Sequence, residues 1–261
     1  MRLPLKRLNY PGLITLVICL AIWEGAARAN PALMAYFPPV SQVLADALQL
    51  IISGELISHA GATLSRFMKG YLLAAGIAVT LGIILGSSRF IYSLFDALIE
   101  FLRPLPSVAI IPVAILFLGI GDPMIVAVTS YAAAWPILIN TIDGVRNIDR
   151  VLIYTARTFG LRRWMILRKI ALPAASPYIV TGLRISLAIS LILVTTSEMV
   201  VGGSGLGFFI LDEQRSFRAT HMYAGMLSVA LLGYSLNRLF LILEGKAMAW
   251  HRGLTAKETT A

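Results

Sequence analysis

The sequence predicts an all-α membrane protein with six transmembrane helices, and two observations lead to that prediction. Hydrophobic residues make up 58% of the 261 residues, charged residues only 13%, and the mean hydropathy is +0.81. A soluble domain carries about 25% charged residues. Several uncharged runs also reach the length of about 18 residues that marks a membrane-crossing helix. The composition therefore excludes a disordered chain, a disulfide scaffold and an ordinary cytosolic enzyme.

The six predicted crossings are the apolar stretches between charged residues, because a charge at the centre of a crossing helix costs about 2.5–3.5 kcal/mol. The first stretch is the shortest and the weakest prediction. The fifth is interrupted once, by Glu198. The stretches are residues 8–23, 70–88, 104–121, 123–142, 185–211 and 219–237.

The first stretch has a second interpretation, a secretory signal peptide. A basic segment precedes it, and the run Ala27-Arg28-Ala29 fits a cleavage site of the A-x-A type. Four strong candidate crossings follow, however, which favours a retained first helix.

Glycine and proline positions indicate how the crossings pack and bend. Gly82 and Gly86 form a G-x-x-x-G pattern, which is typical of closely packed helices. Prolines in the middle of the chain predict kinked or irregular helices there. They are Pro104, Pro106, Pro112 and Pro136.

Lysine and arginine positions predict the orientation in the membrane, because cytoplasmic loops carry the excess of cations. Three cations precede the first stretch, none lies in residues 29–65, and seven lie in residues 144–170. Both termini and the loop 144–180 are therefore expected on the cytoplasmic side of the membrane. Arg66 and Lys69 fit less well, and we expect them to snorkel outward or to line a polar interior.

The same distribution gives the expected organisation of the chain. Although the net charge is +9, the cations lie between apolar segments instead of along one stripe, so nucleic acid is not an expected partner. Membrane lipid is. Four regions follow: residues 1–30 with the first helix, a periplasmic loop at 31–60, a core transmembrane domain at 61–245 and a cytoplasmic tail at 246–261.

The loop 144–180 is the most informative part of the sequence. A helix from Asp149 to Phe159 is predicted, with Asp149 as its N-cap and Gly160 as its end. A second amphipathic helix over residues 162–171 follows, and Pro173 then restarts the chain toward the membrane. Such a helix–turn–helix, exposing Tyr154, Phe159 and Leu161, would be a docking surface for a partner. The alternative is a solvated basic loop that only sets the topology.

The spacing within this loop resembles the cytoplasmic signature of importer permeases of the ATP-binding-cassette (ABC) superfamily. That signature reads E-A-A, three residues, Gly, nine residues, I-x-L-P. Gly160 and the run Ile170-Ala171-Leu172-Pro173 fall at the matching spacing, and Ala156 matches the last alanine. Tyr154 and Thr155 replace the first two letters, so a contact made by the family's leading glutamate is not expected here.

Shorter fragments between about residues 35 and 250 extend the resemblance to the branch that imports nitrate, sulfonates and taurine. Each fragment is weak, but their order matches the predicted topology. They include Phe37-Pro38-Pro39-Val40, Gly119-Ile120-Gly121, Gly144-Val145-Arg146, Thr181-Gly182-Leu183-Arg184, Ser197-Glu198-Met199 and Ser204-Gly205-Leu206-Gly207.

The resemblance implies a type I importer fold with a cytoplasmic coupling helix in a bacterial inner membrane. It also implies a division of labour between subunits. Two permease copies, most simply a homodimer, would form the path, and two ATPase subunits would dock under the coupling helix. A periplasmic or lipid-anchored binding protein would deliver the solute. This chain contains no G-x-x-x-x-G-K-[ST] motif, so no cofactor and no catalysis are expected in it, and ATP and magnesium would bind to the partner ATPase. The implied coupling residues are Tyr154, Thr155, Ala156, Arg157, Phe159, Gly160, Leu161, Ile170, Leu172 and Pro173.

The substrate is expected only from the family likeness. Nitrate, a sulfonate, taurine or a related anion is the first expectation, and a thiamine-precursor pyrimidine, an aromatic carboxylate or bicarbonate are the alternatives. A secondary transporter would need several ionisable groups within the membrane and internal repeats, neither of which is evident. An intramembrane enzyme would need paired catalytic groups, and the lone acid within a crossing, Glu198, and the scattered histidines argue against it.

Ionisable residues within a crossing are functional candidates by default. Glu198 is the clearest: it is predicted to line or gate the path together with Gly205 and Gly207, or to pair with Arg184 or Arg66. The alternative is an acid at the level of the lipid headgroups. Arg184 itself is expected near the cytoplasmic end of the fifth helix. His59, His221 and His251 show no metal-ligand spacing, and His221 is expected at the membrane interface.

Overall fold

A computed structural model describes residues 10–30 and 34–248, and every regular element in those ranges is helical. The predicted all-α fold class is therefore confirmed. The N-terminal cations Arg2, Lys6 and Arg7, and His251 in the tail, lie outside the described residues. The helices are α1 (Tyr10–Ala29), α2 (Val40–Ile52), α3 (Glu55–Ser87), α4 (Arg89–Leu102), α5 (Ile111–Leu118, after a 3-10 turn at Ser107–Ile110), α6 (Asp122–Arg146), α7 (Arg150–Thr158), α8 (Arg163–Ile166), α9 (Leu172–Val201, after a π-turn at Leu167–Ala171), α10 (Leu206–Arg215) and α11 (Ala219–Ala247).

Five of these helices are long and apolar enough to cross a membrane: α1, α3, α6, the continuous helix Trp164–Val201 that ends in α9, and α11. A sixth crossing results if α4 and the segment Ser107–Leu118, which meet at an angle of 89°, form one broken span. Five of the six predicted crossings are thus present in the described part of the chain, and the third is present where this bent pair counts as one span.

The bounds predicted for the third crossing, residues 104–121, were wrong. Residues 89–102, expected to be a loop, form the amphipathic helix α4 instead. Counting uncharged runs could not find α4, because Asp96 and Glu100 interrupt its uncharged run in the sequence. Pro104 and Pro106 follow the end of α4, where a helix cannot continue without losing backbone hydrogen bonds.

The predicted fifth crossing, residues 185–211, also had the wrong bounds. The helix begins well before it and ends at Val201, because Gly202 adopts a φ of +51° that favours glycine. Residues 206–215 then form the separate helix α10. The region expected as a loop at 31–60 likewise contains α2.

Helix α6 lies at the centre of the bundle between α3 and α9, and small residues allow the close approach. A Cβ atom on Gly82 would lie 2.6 Å from the Cβ of Thr141, and one on Gly86 would lie 2.8 Å from the Cβ of Val145. The packing role predicted for this glycine pair is therefore confirmed. On the other side, Gly182 of α9 lies against α6.

A polar contact fixes the register of α9 on α6. The Ser186 hydroxyl donates a hydrogen bond of 2.6 Å to the carbonyl oxygen of Ala133, near the midpoint of α6. Arg184, two residues before Ser186, therefore lies close to the middle of the bundle. The expectation that Arg184 lies near the cytoplasmic end was wrong, because the helix extends so far below residue 185.

We expect Gly82→Leu to destabilise the bundle by about 1–3 kcal/mol, since the new side chain would overlap Thr141 and push α3 away from α6. Gly76→Leu is the matched control, because nothing lies within 4 Å of a Cβ atom at Gly76. Thermal unfolding of the purified protein in detergent measures both. Equal midpoints for the two variants would contradict the packing argument.

Candidate functional site

The loop between α6 and α9 contains a short capped helix, as the sequence predicted. The Asp149 carboxylate accepts a hydrogen bond of 2.8 Å from the backbone N–H of Val151, and thereby caps α7. At the other end Gly160 adopts a φ of +74°, which directs the N–H of Leu161 back to the carbonyl of Ala156 at 3.1 Å. The Asp149 cap and the Gly160 stop, both at the predicted positions, therefore set the length of α7.

Helix α7 presents apolar side chains to the outside and rests on one small residue. Ala156 is only 3% exposed, whereas Tyr154 is 58% and Phe159 is 79% exposed. Thr155 and Arg157 are exposed as well. The contiguous exposed apolar groups on and beside α7 are Val151, Leu152, Tyr154, Phe159 and Trp164. An apolar surface of this kind on a short helix indicates an interaction site.

Two details of the predicted helix–turn–helix were wrong. Leu161 is half-buried in the turn, because the Ala156 carbonyl holds its backbone against α7. Pro173 does not restart the chain: α8, the π-turn and α9 form one continuous helix. The N–H of Leu172 bonds the carbonyl of Leu167, and this wide turn precedes Pro173, which lacks an N–H of its own.

The remaining residues of the predicted coupling set lie in this wide turn and in the turn after it. Ile170, Leu172 and Pro173 are half-buried. They link the exposed helix α7 to the long helix α9, so a displacement of one would be transmitted to the other.

A second polar site lies at the opposite end of α9, where Glu198 is 1% exposed. Its carboxylate forms an ion pair of 2.9 Å with Arg66 of α3. It also accepts hydrogen bonds from the Thr63 hydroxyl at 2.9 and 3.0 Å and from the N–H of Gly207 at 3.0 Å. Of the two partners considered from the sequence, Arg66 is therefore the one that Glu198 contacts.

Arg66 connects this carboxylate to two further elements. Its Nε donates to Asp122, at the start of α6, at 2.7 Å. Its terminal nitrogens donate to the carbonyl of Ser204 at 2.8 Å and to the Ser204 hydroxyl at 2.6 Å. We call Thr63, Arg66, Asp122, Glu198 and Ser204 the outer network.

The loop between α9 and α10 fits the outer network only because it is rich in glycine. Gly205 has a φ of +102°, and a Cβ atom there would fall on the Glu198 carboxylate. A Cβ atom on Gly207 would fall on the carbonyl oxygen of Thr195. The N–H of Gly205 donates to Nδ1 of His59 at 3.1 Å. The three residues predicted as a path or gate thus meet in one buried cluster.

Sequence reasoning missed Thr63, Asp122 and Ser204. A signal for part of the network was present, because His59, Thr63 and Arg66 recur at helical spacing on one face of an otherwise apolar helix. No comparable signal marks Asp122 or Ser204, since their partners are distant in sequence.

A second polar cluster holds the turn between α10 and α11. Glu213 is buried, and its carboxylate pairs with Arg218 at 2.7 Å and lies 3.3 Å from Nδ1 of His221. Burial raises the pKa of Glu213, although Arg218 and His221 act in the opposite direction. Phe217, in the same turn, adopts a φ of +56°. Within the described residues, no group of histidines, cysteines and acids could hold a metal ion.

A bundle of membrane-crossing helices that projects a capped apolar helix from one end defines a membrane subunit built to work with partners. The comparison with protein families agrees. Residues 78–247 match the family described as binding-protein-dependent transport system inner membrane component. The chain belongs to this family of ABC importer permeases. It is therefore a multi-pass transport subunit and not an enzyme.

Individual relatives cover nearly the whole chain. The nitrate import permease protein NrtB of Leptolyngbya laminosa is 34% identical over 89% of this chain and 85% of its own length. The taurine transport system permease protein TauC of Escherichia coli K12 is 28% identical over 96% of this chain and 93% of its own. Among solved structures, the MetNI methionine ABC transporter gives a TM-score of 0.59 at 23% identity, covering 69% of this chain and 90% of that one. At that identity the likeness shows the fold alone.

We expect Arg66→Met to destabilise the protein by about 3–5 kcal/mol, because it leaves the buried Glu198 carboxylate without a cation. The double variant Arg66→Met/Glu198→Met should regain part of that loss, since no buried charge remains. Thermal unfolding in detergent is the measurement.

Arg28→Met is the matched control for this prediction. It breaks an ion pair in which the Arg28 side chain is 63% exposed, so it should change the unfolding midpoint little. If Arg66→Met were as harmless as Arg28→Met, the outer network would not stabilise the fold.

Proposed function

We propose that this chain forms the translocation path of an ATP-driven importer for a small solute. Its exposed helix α7 is the best place to test this proposal. Two ATPase subunits dock on α7, a binding protein delivers the solute on the opposite side, and a second copy of the chain completes the path. Both termini and α7 face the cytoplasm. The observation that carries the proposal is the capped, solvent-exposed apolar face of α7, which the described residues leave uncovered.

The distribution of cations supports the proposed orientation. Arg157 and Arg162, exposed beside α7, belong to the most cation-rich loop of the chain, as expected for a cytoplasmic loop. The outer network lies at the other end of α9 and so faces the periplasm.

The proposed substrate is a small anion of the kind that relatives carry. The names of NrtB and TauC give nitrate and taurine as solutes of those proteins. A thiamine-precursor pyrimidine, an aromatic carboxylate or bicarbonate remain alternative solutes for the same importer role.

We also propose that the loop carrying Gly205 and Gly207 gates the periplasmic side, with Glu198 as its anchor. Glu198 is buried, so its role would be to hold the loop closed through Arg66 and Thr63 and not to contact the solute. Opening requires these hydrogen bonds to exchange partners.

Docking of the ATPase on α7 is tested with Ala156→Asp, which puts a carboxylate where the side chain is 3% exposed and so displaces α7. Gly160→Pro, at a φ of +74° that proline does not adopt, acts on the same helix. Co-purification of the ATPase in mild detergent should fall about tenfold, a loss of some 1.4 kcal/mol in affinity.

Asn147→Asp is the control, because it adds the same charge at an exposed position before α7. It should co-purify the ATPase as the unmodified chain does. Undiminished ATPase recovery and solute uptake in both α7 variants would refute the docking proposal.

The gate is tested with Gly205→Val, whose side chain would collide with Glu198 and whose φ would be strained. Uptake into proteoliposomes should fall, while the ATPase still co-purifies. Gly61→Val is the control, because nothing lies within 4 Å of a Cβ atom at Gly61. Normal uptake by the Gly205→Val variant would contradict the proposed gate. Loss of assembly with the ATPase would instead show that the loop has only a structural role.

A further inference from the structure

A groove between α9 and α11 has one charged end and apolar walls. Its volume is about 280 Å³. Arg184 and Asn237 supply polar groups at one end, and Leu187, Leu191 and Val229 belong to the apolar wall. Among the described residues, no carboxylate lines the groove. Small-molecule sites typically combine apolar walls with a few polar groups in this way.

Arg184 lies near the middle of the bundle of crossing helices. Ser186, two residues away, bonds Ala133, the twelfth of the 25 residues of α6. At a rise of about 1.5 Å per residue, Arg184 lies roughly 3 Å from that level along the helix axis. An arginine at this depth is costly and by default marks a pathway for a solute or an ion.

Within the described residues, no acidic side chain lies within ion-pairing distance of Arg184. Arg184 itself is exposed. Arg66, an arginine of the crossing helix α3, has two such acids by contrast. The positive charge of Arg184 is therefore left for a partner other than the described residues, and the groove next to it shows the shape available.

We propose that this groove is an intramembrane subsite for a small organic anion, with one sulfonate or carboxylate group on a short apolar body. This rests on the proposed importer function and narrows its substrate class. The guanidinium of Arg184 binds two oxygens of the anion, and the amide of Asn237 donates to it. The apolar body contacts Leu187, Leu191 and Val229.

This chemistry separates the solutes that the family likeness leaves open. Nitrate has no apolar part to use the walls of the groove. Taurine carries an ammonium group, and none of the described residues that line the groove has a carboxylate to receive it. An alkanesulfonate without an amine fits both ends.

An anionic lipid is the other possible source of such a group. Lipid headgroups lie about 15 Å from the bilayer midplane, since the hydrocarbon core is about 30 Å thick. The backbone of Arg184 lies near the midplane, and the arginine side chain is too short to reach the headgroups from there. The depth of the groove therefore favours a transported solute.

The groove is probed by cysteine labelling of the complete complex in membrane vesicles. Ala188→Cys places a thiol on the groove wall, and Cys19→Ser removes the one native cysteine. The rate at which the cysteine at position 188 reacts with 2-sulfonatoethyl methanethiosulfonate is compared with its rate with the trimethylammonium analogue of that reagent. The anionic reagent should react faster, and Arg184→Gln should reduce this preference about tenfold, or about 1.4 kcal/mol.

Two variants show whether the effect comes from the Arg184 charge. Arg184→Lys should keep part of the preference, because a charge remains without the two-oxygen contact. Arg238→Gln is the control, since Arg238 is exposed on the same helix as Asn237 and lies over the ring of Tyr234, outside the groove. Equal rates for the two reagents, or an unchanged ratio in Arg184→Gln, would overturn the subsite.

Competition and uptake then identify the source of the anion. Ethanesulfonate at millimolar concentration should slow the labelling, and the complex should take up ethanesulfonate with an uptake that Arg184→Gln lowers about tenfold. Protection by phosphatidylglycerol but not by ethanesulfonate, or uptake of only nitrate or taurine, would overturn the assigned substrate class.

Failure of the subsite is distinguishable from failure of the importer role. ATP hydrolysis stimulated by the binding protein is measured on the same preparations. If it persists while the labelling ratio shows no dependence on Arg184, the importer stands and the subsite falls. If no ATPase accompanies the chain, the proposed function itself fails.

Discussion

The buried ion pair between Arg66 and Glu198 is the constraint on which the outer half of the bundle depends. A carboxylate that is 1% exposed in an apolar bundle is tolerable only if a cation and hydrogen-bond donors surround it. Arg66 meets that need and at the same time contacts Asp122 and Ser204. Helices α3, α6 and α9 and the loop after α9 are therefore joined at one point, and removal of Arg66 would leave the Glu198 carboxylate buried without a cation.

Small residues complete the arrangement that the ion pair begins. Because Gly82 and Gly86 let α3 approach α6, and Gly182 lets α9 approach its other side, the three helices pack closely enough for the polar side chains to meet. Gly205 and Gly207 do the same for the loop, since any side chain at Gly205 would displace the carboxylate. In a membrane, where lipid is as apolar as the helix surfaces, such close contact and polar bonding supply much of the association.

The sequence was informative where a feature is local and uninformative where it depends on distant partners. Charge-free runs located most crossings, and the Asp149 cap and the Gly160 stop of α7 followed from the chemistry of single residues. Helix α4 was missed because Asp96 and Glu100 break its apolar run, although they lie on one side of a helix. The link between Arg66 and Asp122 joins residues 56 positions apart, and no periodicity reveals it.

The two sites are connected by one long helix. The continuous helix Trp164–Val201 carries the residues next to α7 at one end and Glu198 at the other. Its 38 residues extend over about 57 Å, more than the thickness of a bilayer core. Its wide π-turn at Leu167–Ala171 lies just beside α7, where a helix of this kind bends most readily. A force applied at α7 would therefore reach the outer network mainly as a movement of α9 against α6, with Arg184 and its groove lying between the two ends.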